Sequence, residues 1–216
     1  MTRLILLRHG ESITNVTGIG TGQTDVPLTE LGLRQAQLAA DHLLKTENIS
    51  AIYSSDLQRT LNTALPTAKA LGLEITAHEA LREMDIGNWV GLTKEERQVQ
   101  YPEESKRFAE DFSTLRFPGG EYVPDVYDRV CDCIDKIAKE NDGKTVLIVS
   151  HAGAIRVFEA FAMGLSRDET GKTVGCANAS INIFGYENGK AFPIELNITA
   201  HLKNDTGRVS TDAEKI

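Results

Sequence analysis

The sequence predicts a single α/β domain built on a sheet whose central strands are covered on both faces. Three observations carry that expectation. Leu4-Ile5-Leu6-Leu7 and Val146-Leu147-Ile148-Val149 are unbroken apolar runs of strand length, the pattern of strands buried on two sides rather than one. The stretches between them show apolar residues at helical spacing, so strands and helices alternate along the chain. The 216 residues are 41% hydrophobic, enough for one substantial core, and no shift in composition marks a second domain.

Each element follows in order. The first strand stops at Arg8-His9-Gly10. Thr29 opens a helix in which Leu31, Ala36, Leu38, Ala39, Leu43 and Leu44 recur on one side as far as Lys45. A short strand from Ala51 gives way to a helix over 57–71, kinked at Pro66 and ended by Gly72. Residues 93–117 are charged and bounded by prolines, which predicts short exposed helices. A long helix over 124–141 carries Val126, Val130, Ile134 and Ile137 on one side and feeds, through Asp142-Gly143, a strand ending at Ser150-His151. A helix over 154–163 and a Gly-rich loop over 164–175 come next. Strands over 180–186 and 191–200 flank Glu187-Asn188-Gly189-Lys190, a hairpin signal. Residues 204–216 read as a loose polar tail.

The chemistry is expected at the strand ends. In open α/β sheets ligands bind just beyond the carboxyl ends of the strands, and here His9 and His151 each terminate an apolar run. Arg8 precedes the first, and Arg59 falls in the first turn of the helix that follows the short strand. Two arginines and two histidines at one sheet edge make a cationic pocket in a chain of net charge -8. Arginine matches phosphate with a planar fork of donors, and neutral imidazole can attack phosphorus. Such preorganised donors are worth roughly 3 to 4 kcal/mol each in the transition state.

Five motifs extend this pattern: Arg8-His9-Gly10-Glu11-Ser12 with Asn15; Ser54-Ser55-Asp56-Leu57-Gln58-Arg59-Thr60; Leu81-Arg82-Glu83-Met84-Asp85-Ile86-Gly87; Pro118-Gly119-Gly120-Glu121; and Ser150-His151-Ala152-Gly153. In this order they resemble the histidine phosphatase superfamily, also called the phosphoglycerate mutase-like family, over about residues 3 to 185. The resemblance implies a three-layer α/β/α sandwich with a mostly parallel central sheet. It implies that His9 is a nucleophile that becomes a phosphohistidine, and that Arg8, Arg59 and His151 bind the transferring group. Asn15 and the backbone amide of Ala152, at a helix start, would add donors. Glu83 would protonate the leaving alkoxide, its proton affinity raised by bound phosphate against the pull of the arginines. Glu11 is assigned a structural hydrogen bond, and residues 93–117 are expected to cap the site.

Within the family, phosphatase is favoured over mutase. Thr21 and Gly22 resemble the mutase segment that contacts substrate, and Lys94 resembles a basic mutase position. Against this, Glu83-Met84-Asp85-Ile86 stands where mutases carry Glu-Arg-His-Tyr, and the insertion with paired arginines is missing. The expected activity is therefore a phosphomonoesterase acting on small phosphorylated metabolites, with cofactor-dependent phosphoglycerate mutase as the alternative and a non-catalytic phosphate-binding protein as a third reading. No metal or other cofactor is expected, since no metal-spaced cluster or Walker-type loop occurs.

Acidic net charge argues against nucleic acid or anionic membrane as partners. With no apolar stretch of spanning length and no signal-peptide pattern before the first motif, a cytoplasmic location is expected. Cys131 and Cys133, two apart on a helix and so on different faces, and Cys176 are read as free thiols. Arg156 is assigned a structural salt bridge facing away from His151, Trp89 a core or pocket-wall position, His42 packing or surface, and His78 and His201 the surface. The sequence does not specify an oligomeric state.

Overall fold

Leu4 to Leu7 have no room for solvent because they form the middle of β1 (Thr2–Arg8), a strand with neighbours on both edges and helices on both faces. In the computed structural model, which describes residues 1–203, β1 pairs in parallel with β4 (Thr145–Ser150) and antiparallel with β5 (Ile181–Glu187). Outward from β4 lie β2 (Ile49–Ser54) and β3 (Ile75–Ala77), both parallel, and outward from β5 lies the antiparallel β6 (Lys190–Ile198). The order is β3-β2-β4-β1-β5-β6, so the sheet is mostly parallel, as expected. The predicted tail, 204–216, lies outside the described residues.

Alternation along the strands splits the core into two layers. Leu4, Leu6, Val146 and Ile148 face α6 (Val123–Glu140) and α7 (Ala152–Ala162), while Ile5, Leu7, Leu147 and Val149 face α2 (Glu30–Thr46) and α3 (Gln58–Leu71). Each such side chain contributes roughly 1.5 to 3 kcal/mol when fully buried, which holds the central strands firmly between the two helix layers. Thr29 caps α2 by accepting a hydrogen bond from the Gly32 amide. Pro66 lies inside α3, and Gly72 ends it in the left-handed region. At the hairpin, Asn188 and Gly189 both take positive φ, the geometry of a type I′ turn.

Several local features depart from expectation. The short α1 (Ile13–Thr17) and the three-residue β3 were not anticipated, being too short to show periodicity. The loop over 164–175 contains a 3₁₀ segment, Arg167–Lys172, started by a Ser166 and Glu169 capping box. Helix α7 runs from Ala152, the helix start expected for that amide, with His151 as its N-cap residue. Cys131 and Cys133 are two apart on α6. Both are buried in one core, because α6 is covered by the sheet on one side and by α7 and neighbouring 3₁₀ turns on others. The thiols are free. His201 is half-buried rather than exposed, stacked on His42 at 5.4 Å and bonded through Nε2 to the Ala179 carbonyl at 3.0 Å. His78 likewise stacks on Tyr53. Between β3 and α6 the chain forms α4 (Lys94–Gln100) and α5 (Pro102–Glu110), short and lacking buried residues.

Candidate active site

The carboxyl ends of β1, β4 and β2 finish level with one another. The His9 amide donates to the Ser150 carbonyl at 3.0 Å and the Ser55 amide to the Val149 carbonyl at 2.9 Å. This register sets the rings of His9 and His151 side by side, centroids 5.2 Å apart and planes at 61°. Arg8, the last residue of β1, donates to the Cys176 carbonyl at 2.6 Å. Past His9 the backbone needs glycine. A Cβ on Gly10 would stand 2.4 Å from the Gly32 carbonyl oxygen, so the loop lies directly against the first turn of α2.

The first turn of α3 delivers Arg59 as expected. Its Nη1 and Nη2 donate to the carbonyls of Thr24 and Gly22 at 2.8 and 2.9 Å, which pins the loop over 21–24 to the site. Its Nε donates to His151 Nδ1 at 3.2 Å. Because the guanidinium is a donor only, His151 Nδ1 must be an acceptor, and its proton sits on Nε2. His9 has the opposite tautomer: Nδ1 bonds the Gly10 carbonyl at 2.7 Å, so Nδ1 carries the proton and Nε2 a free lone pair. Burial, then Arg59 and Arg8, hold the pKa of His9 well below the ordinary histidine value. Burial, Arg59, His9 and Arg8 do the same to His151. Both rings are neutral near pH 7, and His9 presents an unprotonated Nε2.

A cavity of about 1040 Å³ counted to its open mouth lies over these residues. Arg8, His9, Asn15, Arg59, Glu83 and Ala152 are on its wall, as are Thr21 and Gly22. Asn15 is oriented by its neighbours: its Oδ1 accepts from the Ser12 amide, the Ser12 hydroxyl and Asn178 Nδ2 at 2.9 to 3.1 Å. That leaves its Nδ2 hydrogens for a ligand. Glu83 accepts from the Met84 amide at 2.9 Å and the Gly153 amide at 3.2 Å, so the first turn of α7 holds the carboxylate. Glu11 takes the structural role expected of it, accepting from the Thr29 hydroxyl at 2.8 Å.

Not every candidate is where the sequence put it. His151 is fully buried and does not itself line the cavity, and its Nε2 has no protein partner. Lys94 is exposed at the start of α4 and off the wall. Arg97, one turn later on the same helix, lines the cavity instead. Arg156 forms no salt bridge among the described residues. It bonds Thr173, lies over the Phe112 ring at 4.2 Å and faces the cavity, because α7 turns its fifth residue toward the chamber rather than away. Trp89 is in the core.

Arg129 and Asn178 were missed. Arg129 on α6 makes a two-pronged bond to Glu121 and donates to the carbonyls of Ala80, Arg82 and Glu83, each at 2.9 Å. It holds the backbone from which Glu83 projects. Asn178 ties the His9 and Gly10 carbonyls to Asn15. Neither residue sits in a recognisable pattern, and nothing in the sequence singles out either.

Among the described residues no group of His, Cys, Asp and Glu is placed to hold a metal ion, and no helix is long and apolar enough to cross a membrane. The arrangement can bind a phosphoryl group between cationic and neutral donors, present a nucleophilic nitrogen to it, and offer a carboxyl group for proton transfer.

Comparisons with known proteins agree in kind. A profile of the histidine phosphatase superfamily (branch 1) matches residues 4–199. Phosphoserine phosphatase 1 of Hydrogenobacter thermophilus is 37% identical over 202 residues, which span 94% of this chain and 95% of that protein. The metal-independent phosphoserine phosphatase of Arabidopsis thaliana is 35% identical over 185 residues, 85% of this chain and 76% of its own. The solved structure of a phosphoserine phosphatase from Entamoeba histolytica in complex with 3-phosphoglyceric acid superposes with a TM-score of 0.81 at 29% identity, covering 94% of this chain and 100% of that one.

Proposed function

Because this chain belongs to the histidine phosphatase superfamily, branch 1, we propose that it is a metal-independent phosphomonoesterase working through a phosphohistidine on His9. The observation that carries the reading is the state of His9: neutral, with Nε2 unprotonated, between Arg8 and Arg59 on the wall of a cavity that also holds Glu83. Nε2 attacks phosphorus, the ester P–O bond breaks, and its electron pair leaves on the ester oxygen, which takes the proton of Glu83. Glu83, now a carboxylate, accepts a proton from water as that water attacks the phosphohistidine. The N–P bond breaks, its electrons return to Nε2, and inorganic phosphate departs. Dividing one displacement into two in this way is ordinary covalent catalysis.

Arg8, Arg59, Asn15 and the Ala152 amide at the start of α7 bind the equatorial oxygens, where positioning and charge stabilisation supply most of the acceleration. His151 lies behind the cavity wall with its ring centroid 5.2 Å from that of His9, and its otherwise unpartnered Nε2–H is the donor it has for a phosphoryl group on His9. Thr21 and Gly22 contact the remainder of the ester, and the segment over 93–117 caps the cavity through Arg97, Phe108, Phe112 and Phe117, all on its wall. The substrate is a small phosphorylated metabolite, and O-phosphoserine, named in the curated relatives, is the first to try. Positions Thr21 and Gly22 on the wall are also what a phosphoglycerate mutase would use.

One experiment separates the readings. Phosphorus NMR follows the purified chain with chelator, phosphomonoesters including 3-phosphoglycerate, and a trace of 2,3-bisphosphoglycerate, beside His9→Ala. Inorganic phosphate that accumulates with the parent and not with His9→Ala is the expected result, together with a base-stable, acid-labile phosphoenzyme after rapid quenching. Growth of 2-phosphoglycerate with little free phosphate would make it a mutase, and binding without turnover a phosphate-binding protein.

A further inference from the structure

Four arginines, Arg8, Arg59, Arg97 and Arg156, face the cavity against one carboxylate, Glu83. A phosphomonoester dianion and Glu83 together offset three of the four charges, and the phosphoryl group occupies Arg8 and Arg59. Arg97 and Arg156 remain, and among the described residues neither has a carboxylate within ion-pair distance, although Arg3, Arg82, Arg129 and Arg167 all do.

Their settings are alike. Arg97 lies over the Trp89 ring at 5.2 Å and Arg156 over the Phe112 ring at 4.2 Å. Phe108 sits between the two rings, 5.5 Å from Trp89 and 5.9 Å from Phe112, so one aromatic row carries a guanidinium at each end. A guanidinium stacked by its face keeps its in-plane N–H edge for an anion. Protein partners use only part of that edge: Arg97 Nε bonds the Thr93 carbonyl, and Arg156 bonds the hydroxyl and carbonyl of Thr173 at 3.2 and 3.4 Å. Burial opposes the charge on both groups, a cost that an anionic ligand would offset.

We propose that Arg97 and Arg156 form a second anion subsite, so that the preferred ester carries a further anionic group at the end remote from the phosphate on His9. The inference rests on the phosphatase reading above. A carboxylate and a second phosphate share the chemistry that these donors recognise, and the apolar rings beneath them favour a short carbon skeleton between the two charges.

The test is a matrix of kcat/KM values. Matched esters differ only at the remote end: O-phosphoserine against O-phosphoethanolamine, 3-phosphoglycerate against glycerol 3-phosphate, and a sugar bisphosphate against its monophosphate. Each is measured with the parent, Arg156→Leu, Arg97→Leu and Arg156→Lys. A charge-assisted hydrogen bond lost in a desolvated site corresponds to roughly tenfold to hundredfold. The parent should favour esters with the second anion by at least that factor, and the leucine variants should reduce the preference tenfold or more, with partial recovery in Arg156→Lys. Preference for the acid pairs identifies a carboxylate, and preference for the bisphosphate identifies a second phosphate. Equal rates for matched esters, or equal losses on both members of each pair, would overturn the subsite while leaving the phosphatase reading intact. Absence of any hydrolysis would remove that reading first.

Discussion

Replacing Gly153 by alanine separates proton transfer from phosphate binding. A Cβ at this position would stand 2.3 Å from Glu83 Oε1, where ordinary contact begins at 3.4 Å, and 2.9 Å from Met84 Cε. The carboxylate must therefore retreat by roughly 1 Å, a misplacement that can cost about a hundredfold in rate. The helix does not suffer in the same measure, since alanine is better than glycine in a helix by about 1 kcal/mol. Arg8, Arg59 and His9 are untouched. Gly153→Ala should thus keep KM for phosphate esters near the parent value and lower kcat about a hundredfold on alkyl esters. On 4-nitrophenyl phosphate, whose leaving group departs without a proton, kcat/KM, which reports steps only as far as the phosphoenzyme, should fall less than fivefold, since general acid catalysis supplies nothing there and the later role of Glu83 as base toward water enters kcat alone. Glu83→Gln should show the same contrast, more strongly. The assay is steady-state kinetics on the two ester types with circular dichroism as a folding control. Equal losses in kcat/KM on both would refute Glu83 as the acid, and no loss on the alkyl ester would refute the geometry.

Three further outcomes are expected. His9 and His151 have lowered pKa values in the folded chain, so the unfolded chain takes up their protons first; this contribution to stability is complete above about pH 6.5 and is lost as pH falls below it toward the folded values. The melting temperature should drop more steeply between about pH 6.5 and pH 5 for the parent than for His151→Gln, and parallel curves would contradict the assignment. Arg129→Met strands Glu121 and three carbonyls; a loss of roughly 3 kcal/mol, or about 6 to 12 °C in Tm, is expected by thermal melt, and a change under about 2 °C would show that Arg129 is dispensable. Turnover should be unchanged in excess chelator, with a fall to background pointing to an ion.

The fold class and the family were legible because they depend on patterns that the chain displays locally. Leu4 to Leu7 and Val146 to Val149 announce buried parallel strands, and the histidines that end them mark the sheet edge where ligands collect. The helices over α2, α3 and α6 followed from apolar spacing, to within two residues at each end. What escaped was whatever depends on direction rather than position. Arg156 was placed on the correct helix but turned the wrong way, because the cavity behind α7 is made by Phe108 and Phe112, which are distant in sequence. Lys94 and Arg97 lie three residues apart on one short helix, and only the packing of Arg97 on Trp89 decides which of them faces inward. Arg129 works through backbone carbonyls, which leave no residue-type signal at all.

The two histidines hold their protons by different means, and this divides what substitution can reach. The tautomer of His9 is set by a main-chain carbonyl, that of Gly10, at a position where the Gly32 carbonyl leaves no room for a Cβ. That of His151 is set by a side chain, Arg59. Substitution at Arg59 changes the state of the His151 ring by removing its partner, whereas substitution at Gly10 reaches the His9 ring only by displacing the loop. Any variant of Arg59 will report a sum: a donor lost from the proposed phosphate site, a loop over 21–24 released, and a neighbouring ring free to exchange its proton between nitrogens. Chemical synthesis of the 10–11 linkage as an ester weakens the carbonyl that His9 bonds, and it also removes the Glu11 amide that donates to Gln35 and weakens the bond from Asn178.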